Sequence, residues 1–178
     1  MPTLDIPEAA VRFSATSNAA DLRQLLSYNP GTGVFTWLVA LRLGKPAGDV
    51  AGTLGADGYI SISILRRKYK AHRLAWLYLH GEWPKDEIDH INGDRADNRL
   101  ANLRPATRHK NSANKRRYSN NQSGRKGVNW HRQHQKWCTR ITVNGKRKHI
   151  GLFHSLEDAA DAYRRAAIEN FGEFARIS

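Results

Sequence analysis

Residues 87–104 read EIDHINGDRADNRLANLR. An Asp stands directly beside a His, Asp89–His90, and Asn follows at 92, 98 and 102. Asn, Asp and Gly favour turns on conformational grounds alone, so a polar loop is the simplest account. The other account is chemical: a carboxylate for a divalent ion and an imidazole for a proton, delivered together. If a strand begins near Glu87 and ends at this pair, the two side chains point to opposite faces, so they can serve metal and water separately. Asp94, Asp97 and Asn98 read as turn and capping residues. A calcium-binding EF-hand loop fails, because Gly93 is out of register with the acidic positions and no Glu closes the loop.

The rest of the chain favours the chemical account. Its 178 residues, 40% of them hydrophobic, suit one medium domain or two small ones. A lone cysteine, Cys138, excludes an internal disulfide framework and Cys-rich zinc sites. No apolar run approaches the roughly 20 residues of a membrane span, and the N-terminus lacks a signal-peptide pattern. The expectation is a soluble, cytoplasmic monomer. Lys and Arg number 29 against 16 Asp and Glu, a net charge of +13. No acidic residue occurs between Arg104 and His149. A single-sign field of that length attracts a polyanion. An anionic membrane surface competes for that role, but no basic amphipathic helix with a bulky apolar face is present, so nucleic acid is the expected partner.

Residues 1–18 read as a loose arm. Asp21–Tyr28 reads as a short helix, and NPGTGVFTW (29–37) as a turn followed by a strand. Glycines from Gly44 to Gly58 suggest turns between short strands. YISISIL (59–65) alternates as a strand does, and AHRLAWLYLHG (71–81) has helical spacing with Gly81 as its stop. YSNNQSGR (118–125) is polar and Gly-containing, as linkers are. Beyond it, KWCTRITVNGKRKHIGLF (136–153) is a hairpin turning at Asn144–Gly145. Its parity puts Trp137, Thr139, Ile141 and Val143 on one face, and Cys138, Arg140 and Thr142 on the other. Ser155 caps a final helix with the apolar stripe Leu156, Ala159, Ala160, Tyr163, Ala166, Ala167 and Phe171, and Gly172 ends it.

HRLAW, IDHINGDRADNRLANLR and ATRHKNSAN, in that order and spacing, resemble HNH endonucleases of the phage and intron-encoded homing type, which carry a ββα-metal motif. The resemblance implies hydrolysis of a DNA phosphodiester with one divalent ion, magnesium, per site. It implies His90 as general base, Asp89 as metal ligand, and Asn102 as the residue tying the loop to the motif's strand. Asn111 matches the last motif position, where this subgroup supplies a second metal ligand. His109 is an alternative for that position. His72, in AHRLAW, recurs in such proteins with a less defined role, structural or phosphate-contacting.

The segment from Ser123 to Ala175 resembles the DNA-binding domain of plant APETALA and ethylene-response factors, relatives of which are attached to phage HNH endonucleases. That resemblance implies a three-stranded antiparallel sheet in the DNA major groove, backed by one helix. Motif by motif, it implies DNA-facing positions Lys126, Asn129, His131, Arg140, Thr142, Arg147 and His149. Several positions that are Arg or Trp in the plant domains are Asn, His or Thr here, so the plant target sequence does not transfer.

The expected architecture is α+β: small N-terminal strands with the ββα-metal motif, then a three-stranded antiparallel sheet packed on one helix. The expected map is an arm (1–18), a nuclease domain (19–117), a linker (118–125) and a DNA reader (126–178). Two rivals remain: a non-cleaving DNA-binding regulator on an inactive HNH fold, and an RNA-binding protein. The deep, narrow major groove of A-form RNA argues against the second.

Overall fold

The structure, a computed structural model, describes residues 12–40, 46–115 and 120–177. The described residues are α+β, with three three-stranded antiparallel sheets, one two-stranded sheet and helices among them. The chain divides into two compact units, Met1–Pro105 and Ala106–Ser178. Among the described residues no helix is long and apolar enough to cross a membrane.

In the first unit, helix α1 (Ala19–Leu25) is closed by a reciprocal cap. Asn18 Oδ1 accepts from the Asp21 amide at 3.0 Å, and Asp21 Oδ2 accepts from the Asn18 amide at 3.2 Å. The helix stops earlier than the sequence suggested. Leu26–Asn29 is strand β1, paired with β2 (Val34–Trp37) from Leu26↔Trp37 to Asn29↔Val34. The run Leu25–Leu26 suits either period, and the hairpin through Pro30–Gly33 decides for a strand that buries Leu26 and Tyr28 and exposes Ser27. Strand β3 (Val50–Ala51) extends this sheet.

A second sheet orders β4 (Thr53–Leu54), β5 (Ile60–Ile64) and β6 (Arg67–Lys70), with Ile62 and Ile64 fully buried. Gly44, the first of the expected turn glycines, lies outside the described residues. Helix α2 (Ala71–His80) follows directly, buries Leu74 and Leu77, and ends at Gly81 in the left-handed region, φ 84°. Strands β7 (Glu87–His90) and β8 (Leu103–Ala106) form a two-stranded sheet. The expected loose arm needs correction where it is described. Phe13 is 2% exposed within the core, edge-on to Tyr69 at 5.4 Å, and Trp83 Nε1 donates to Ser17 O at 3.0 Å. Residues 1–11 lie outside the described residues.

The second unit begins with α3 (Arg108–Asn114), whose N-cap Thr107 accepts from the Lys110 amide. Strands β9 (Val128–His131), β10 (Lys136–Val143) and β11 (Lys146–Phe153) form an antiparallel sheet with β10 central. Asn144 and Gly145 both have positive φ, 50° and 76°, as a tight two-residue hairpin turn requires. A bulge between Thr139 and Arg140 sets Gly151 against Thr139 and His149 against Arg140. Helix α4 (Leu156–Phe171) starts at Ser155, whose Oγ accepts from the Asp158 amide at 3.0 Å. Its alanines let it approach closely enough for the fully buried Thr139 to donate to Ala159 O at 3.0 Å. Val128, Ile141, Ala159, Tyr163 and Ala167 make the core, flanked by Trp137 and Val143. A 3₁₀ turn (Gly172–Phe174) closes the unit.

Half of the expected linker behaves differently from a spacer. Residues 118 and 119 lie outside the described residues, but Ser123 Oγ donates to Val128 O at 2.7 Å and Asn121 Nδ2 to Arg125 O at 3.0 Å. Residues 121–125 are thus folded onto the start of β9.

Candidate active site

Strand β7 delivers Asp89 and His90 at its C-terminal end, each 4% exposed. The loop that follows is wired by amides. Asn102 Oδ1 accepts from the Asn92 amide at 2.9 Å, its Nδ2 donates to Asp97 O at 2.7 Å, and its own carbonyl accepts from the Ile91 amide at 2.9 Å. One buried side chain therefore joins the exit of β7, the far bend of the loop and the entry to β8. Asn92 adds a bond from Nδ2 to Asp97 Oδ2 at 2.8 Å.

The loop is also held from outside. The Tyr28 hydroxyl donates to Asn98 O at 2.7 Å, and the Leu100 amide donates to Pro30 O at 3.0 Å. Gly33, φ +74°, lies so close that an added Cβ would fall 2.5 Å from the Asn98 carbonyl carbon and the Arg99 nitrogen. The NPGTG turn between β1 and β2 thus buttresses the site loop, a use that composition did not reveal.

His90 Nε2 lies 3.3 Å from Asn98 Oδ1. Asn98 Nδ2 is committed to Ala96 O at 3.0 Å, which orients the amide with its oxygen toward the imidazole. An acceptor there suits the tautomer with its proton on Nε2. Burial pushes the His90 pKa down, against the opposing pull of Asn98 and Asp89, so the ring is neutral at neutral pH. Asn98, read from sequence as a turn residue, is 2% exposed and has this second task.

Arg104 was missed. From β8 its Nε and Nη2 both donate to Asp89 Oδ2, at 3.0 and 2.9 Å, in a pair with side chains 11% and 4% exposed. In the sequence it reads as the first of a basic run. Its position two residues after Asn102, on the strand paired with β7, is the signal that could have singled it out. Tyr59 was also missed. Its ring lies 5.1 Å from that of His72 and 5.8 Å from that of His90, with the Lys70 and Arg95 cations 5.0 and 4.9 Å from its centroid. His72, on α2, meets His90 edge-on at 5.0 Å. It is 7% exposed, its Nδ1 has no hydrogen-bond partner, and burial beside His90 drives its pKa down to about 3.

Asn111 and His109 lie on α3, in the second unit. Two residues apart on a helix, they point to different sides; His109 is exposed and Asn111 half-buried. On the sheet, direct pairing puts His131, Asn129, Arg140, Thr142, Arg147 and His149 on the face opposite α4, through Lys136↔His131, Cys138↔Asn129, Arg140↔His149 and Thr142↔Arg147. Arg140, Thr142, Arg147 and His149 are exposed. Lys126 does not join them. Its Nζ donates to Ala113 O at 2.5 Å and Lys115 O at 2.7 Å, because Gly127, φ +74°, turns the chain before β9 begins and ends the strand's alternation.

Among the described residues no three His, Cys, Asp or Glu side chains cluster as for a metal. Magnesium keeps most of its waters and takes one or two protein oxygens, and the side chains of Asp89 and Asn111 each carry oxygen donors of that kind.

Along the chain, a buried Asp-His pair at a strand end is followed by an amide-tied loop, a second strand and a helix, the order of elements in a ββα motif. The family model described as HNH endonuclease matches residues 69–113. Protein 3.8 of Escherichia phage T7 is 37% identical over 113 residues, 61% of this chain and 93% of that protein. An uncharacterized HNH endonuclease, L560, of Acanthamoeba polyphaga mimivirus is 35% identical over 124 residues, 68% of this chain and 63% of its own length. The solved structure of the HNH homing endonuclease I-HmuI, in a study of its DNA binding and cleavage, aligns at TM-score 0.39 and 20% identity, over 77% of this chain and 76% of that one. Residues 69–113 thus form an HNH endonuclease domain of this chain.

Proposed function

We propose that the protein is a metal-dependent DNA endonuclease that hydrolyses a phosphodiester bond at Asp89–His90, at a site chosen by the outer face of the β9–β11 sheet. The observation that carries this reading is the fixed imidazole: a buried, neutral His90 held at Nε2 by Asn98. The His90 imidazole takes a proton from water as the water oxygen bonds to phosphorus and the P–O bond to the leaving oxygen breaks. A magnesium ion held by Asp89 and Asn111 would supply positive charge to the scissile phosphate and the leaving oxygen. Arg104 holds one oxygen of Asp89 and so orients the carboxylate. Asn102 keeps the loop from displacing His90.

Duplex DNA is the substrate of this reading. The basic stretch from Arg104 to His149 supplies the attraction, and the six outer-face residues supply the contacts. The APETALA-like identity of this unit remains part of the proposal, supported by its sheet order and the helix packed behind it. A monomer acting in the cytoplasm of a phage-infected bacterium fits the phage relative.

One observation favours the non-cleaving rival: a guanidinium already occupies one oxygen of Asp89. Conversion of a supercoiled plasmid to nicked or linear form in magnesium, and its loss in EDTA, tests between the two. Binding without conversion in any divalent ion would favour the regulator.

A further inference from the structure

We propose that Lys126 is a positioning residue for α3, pinning the helix that carries Asn111 to the sheet that reads DNA. The proposal rests on the reading of Asn111 as a metal ligand. Helix α3 has seven residues, too few for stability on its own. Its C-terminal end has no left-handed glycine closure; Lys115 caps it at φ −59°, ψ 142°, and its last turn holds no basic residue. The Lys126 ammonium supplies what is missing, donating to the carbonyls of Ala113 and Lys115. A cation at that end also suits the helix dipole.

The other end of the link is rigid. An added Cβ on Gly127 would fall 2.2 Å from the Tyr163 ring, so the main chain beside Lys126 lies against α4 with no space to shift. Gly127 O accepts from the Arg140 amide at 2.9 Å. One main-chain hydrogen bond therefore separates the residue that holds α3 from a residue proposed to touch DNA. Lys126 is half-buried, with its pKa lowered by burial to about 8, and its two carbonyl contacts direct the ammonium inward rather than toward a phosphate. The HNH family match, 69–113, ends inside α3, while the compact unit that holds α3 begins at Ala106. The last helix of the nuclease motif is thus built into the reader's unit, and Lys126 is its clasp.

The test uses the full chain with Lys126→Met and Lys126→Arg. Amide exchange across residues 108–114 is expected to quicken about tenfold in the Met variant, the loss of a charged hydrogen bond, and to return toward wild type in the Arg variant. The magnesium concentration for half-maximal nicking should rise several-fold in the Met variant, with the salt dependence of DNA binding unchanged. Unaltered exchange overturns the proposal. So does faster exchange with an unaltered magnesium requirement. A salt slope reduced by about 0.9, the loss of one phosphate contact, without a change in magnesium requirement would make Lys126 an ordinary DNA contact. If wild type does not nick, the nuclease reading fails by itself; the proposal is then overturned as a metal-site device, and the exchange data decide the clasp alone. Lys126→Gln replaces the Met variant should that chain not fold.

Discussion

The loop from Ile91 to Asn102 and the outer face of the β9–β11 sheet are both polar, yet they are built in opposite ways. In the loop nearly every polar group is committed: Asn102, Asn98 and Asn92 spend their amides on one another's backbones and on the residues flanking Asp89–His90. On the sheet face Arg140, Thr142, Arg147 and His149 stand exposed, and the sequence supplies no acidic residue on these strands to neutralise them. Chemistry that moves a proton needs a fixed imidazole at a chosen protonation state, and burial with neutral partners provides both. Reading a polyanion needs the reverse: cations left for phosphates and base edges.

The first way to break that contrast is to remove the carboxylate. Asp89→Ala should abolish magnesium-dependent nicking, the largest effect expected, while gel-shift affinity for duplex DNA holds near wild type. Asn111→Ala should act in the same direction and less strongly, because a neutral amide oxygen holds a dication more weakly than a carboxylate. Metal titrations of nicking give the order. Should His109→Ala prove the more damaging change, the downstream ligand is His109.

A second test sharpens the loop's side. His72 is buried neutral with its pKa near 3 against an ordinary 6.5. Between those values the unfolded chain binds a proton that the folded chain does not, so stability rises with pH across that window and is fully present above about 6.5. Denaturant midpoints measured from pH 4 to 7.5 should fall with acidity, and His72→Phe should flatten part of that slope. An unchanged slope would mean His72 does not titrate in this way.

The smallest effect belongs to the sheet. Arg140→Ala should lower discrimination at one base position by about 1–3 kcal/mol while nicking per bound complex persists. Site selection from random duplexes measures it. Equal stringency in both proteins would put Arg140 on phosphate alone.

Much of this was legible before the fold was known. The Asn-Gly turn, the parity of β10, the Ser155 cap and the Gly81 stop follow from local geometry, and local geometry survives tertiary context. The Leu25–Leu26 junction did not, because a short apolar run carries no period of its own. Asp89, His90 and Asn102 were marked by their types and spacing. Their supports were not: Tyr28, Gly33, Tyr59 and Arg104 reach the site through pairings between strands distant in the chain, and each reads locally as core, turn or surface. Lys126 was placed among the DNA-facing positions by motif matching alone, whereas Gly127 turns the chain before the strand begins and the Lys126 ammonium donates to carbonyls at the end of α3.

The central claim is that cutting depends on the imidazole of His90 and binding does not. Nicking of supercoiled plasmid and gel-shift affinity, measured on one preparation each of wild type and His90→Ala, test it most directly. The account predicts a fall in nicking rate of about 10²–10⁴-fold, the usual contribution of a general base, with affinity unchanged. A His90→Ala protein that nicks at the wild-type rate would contradict it.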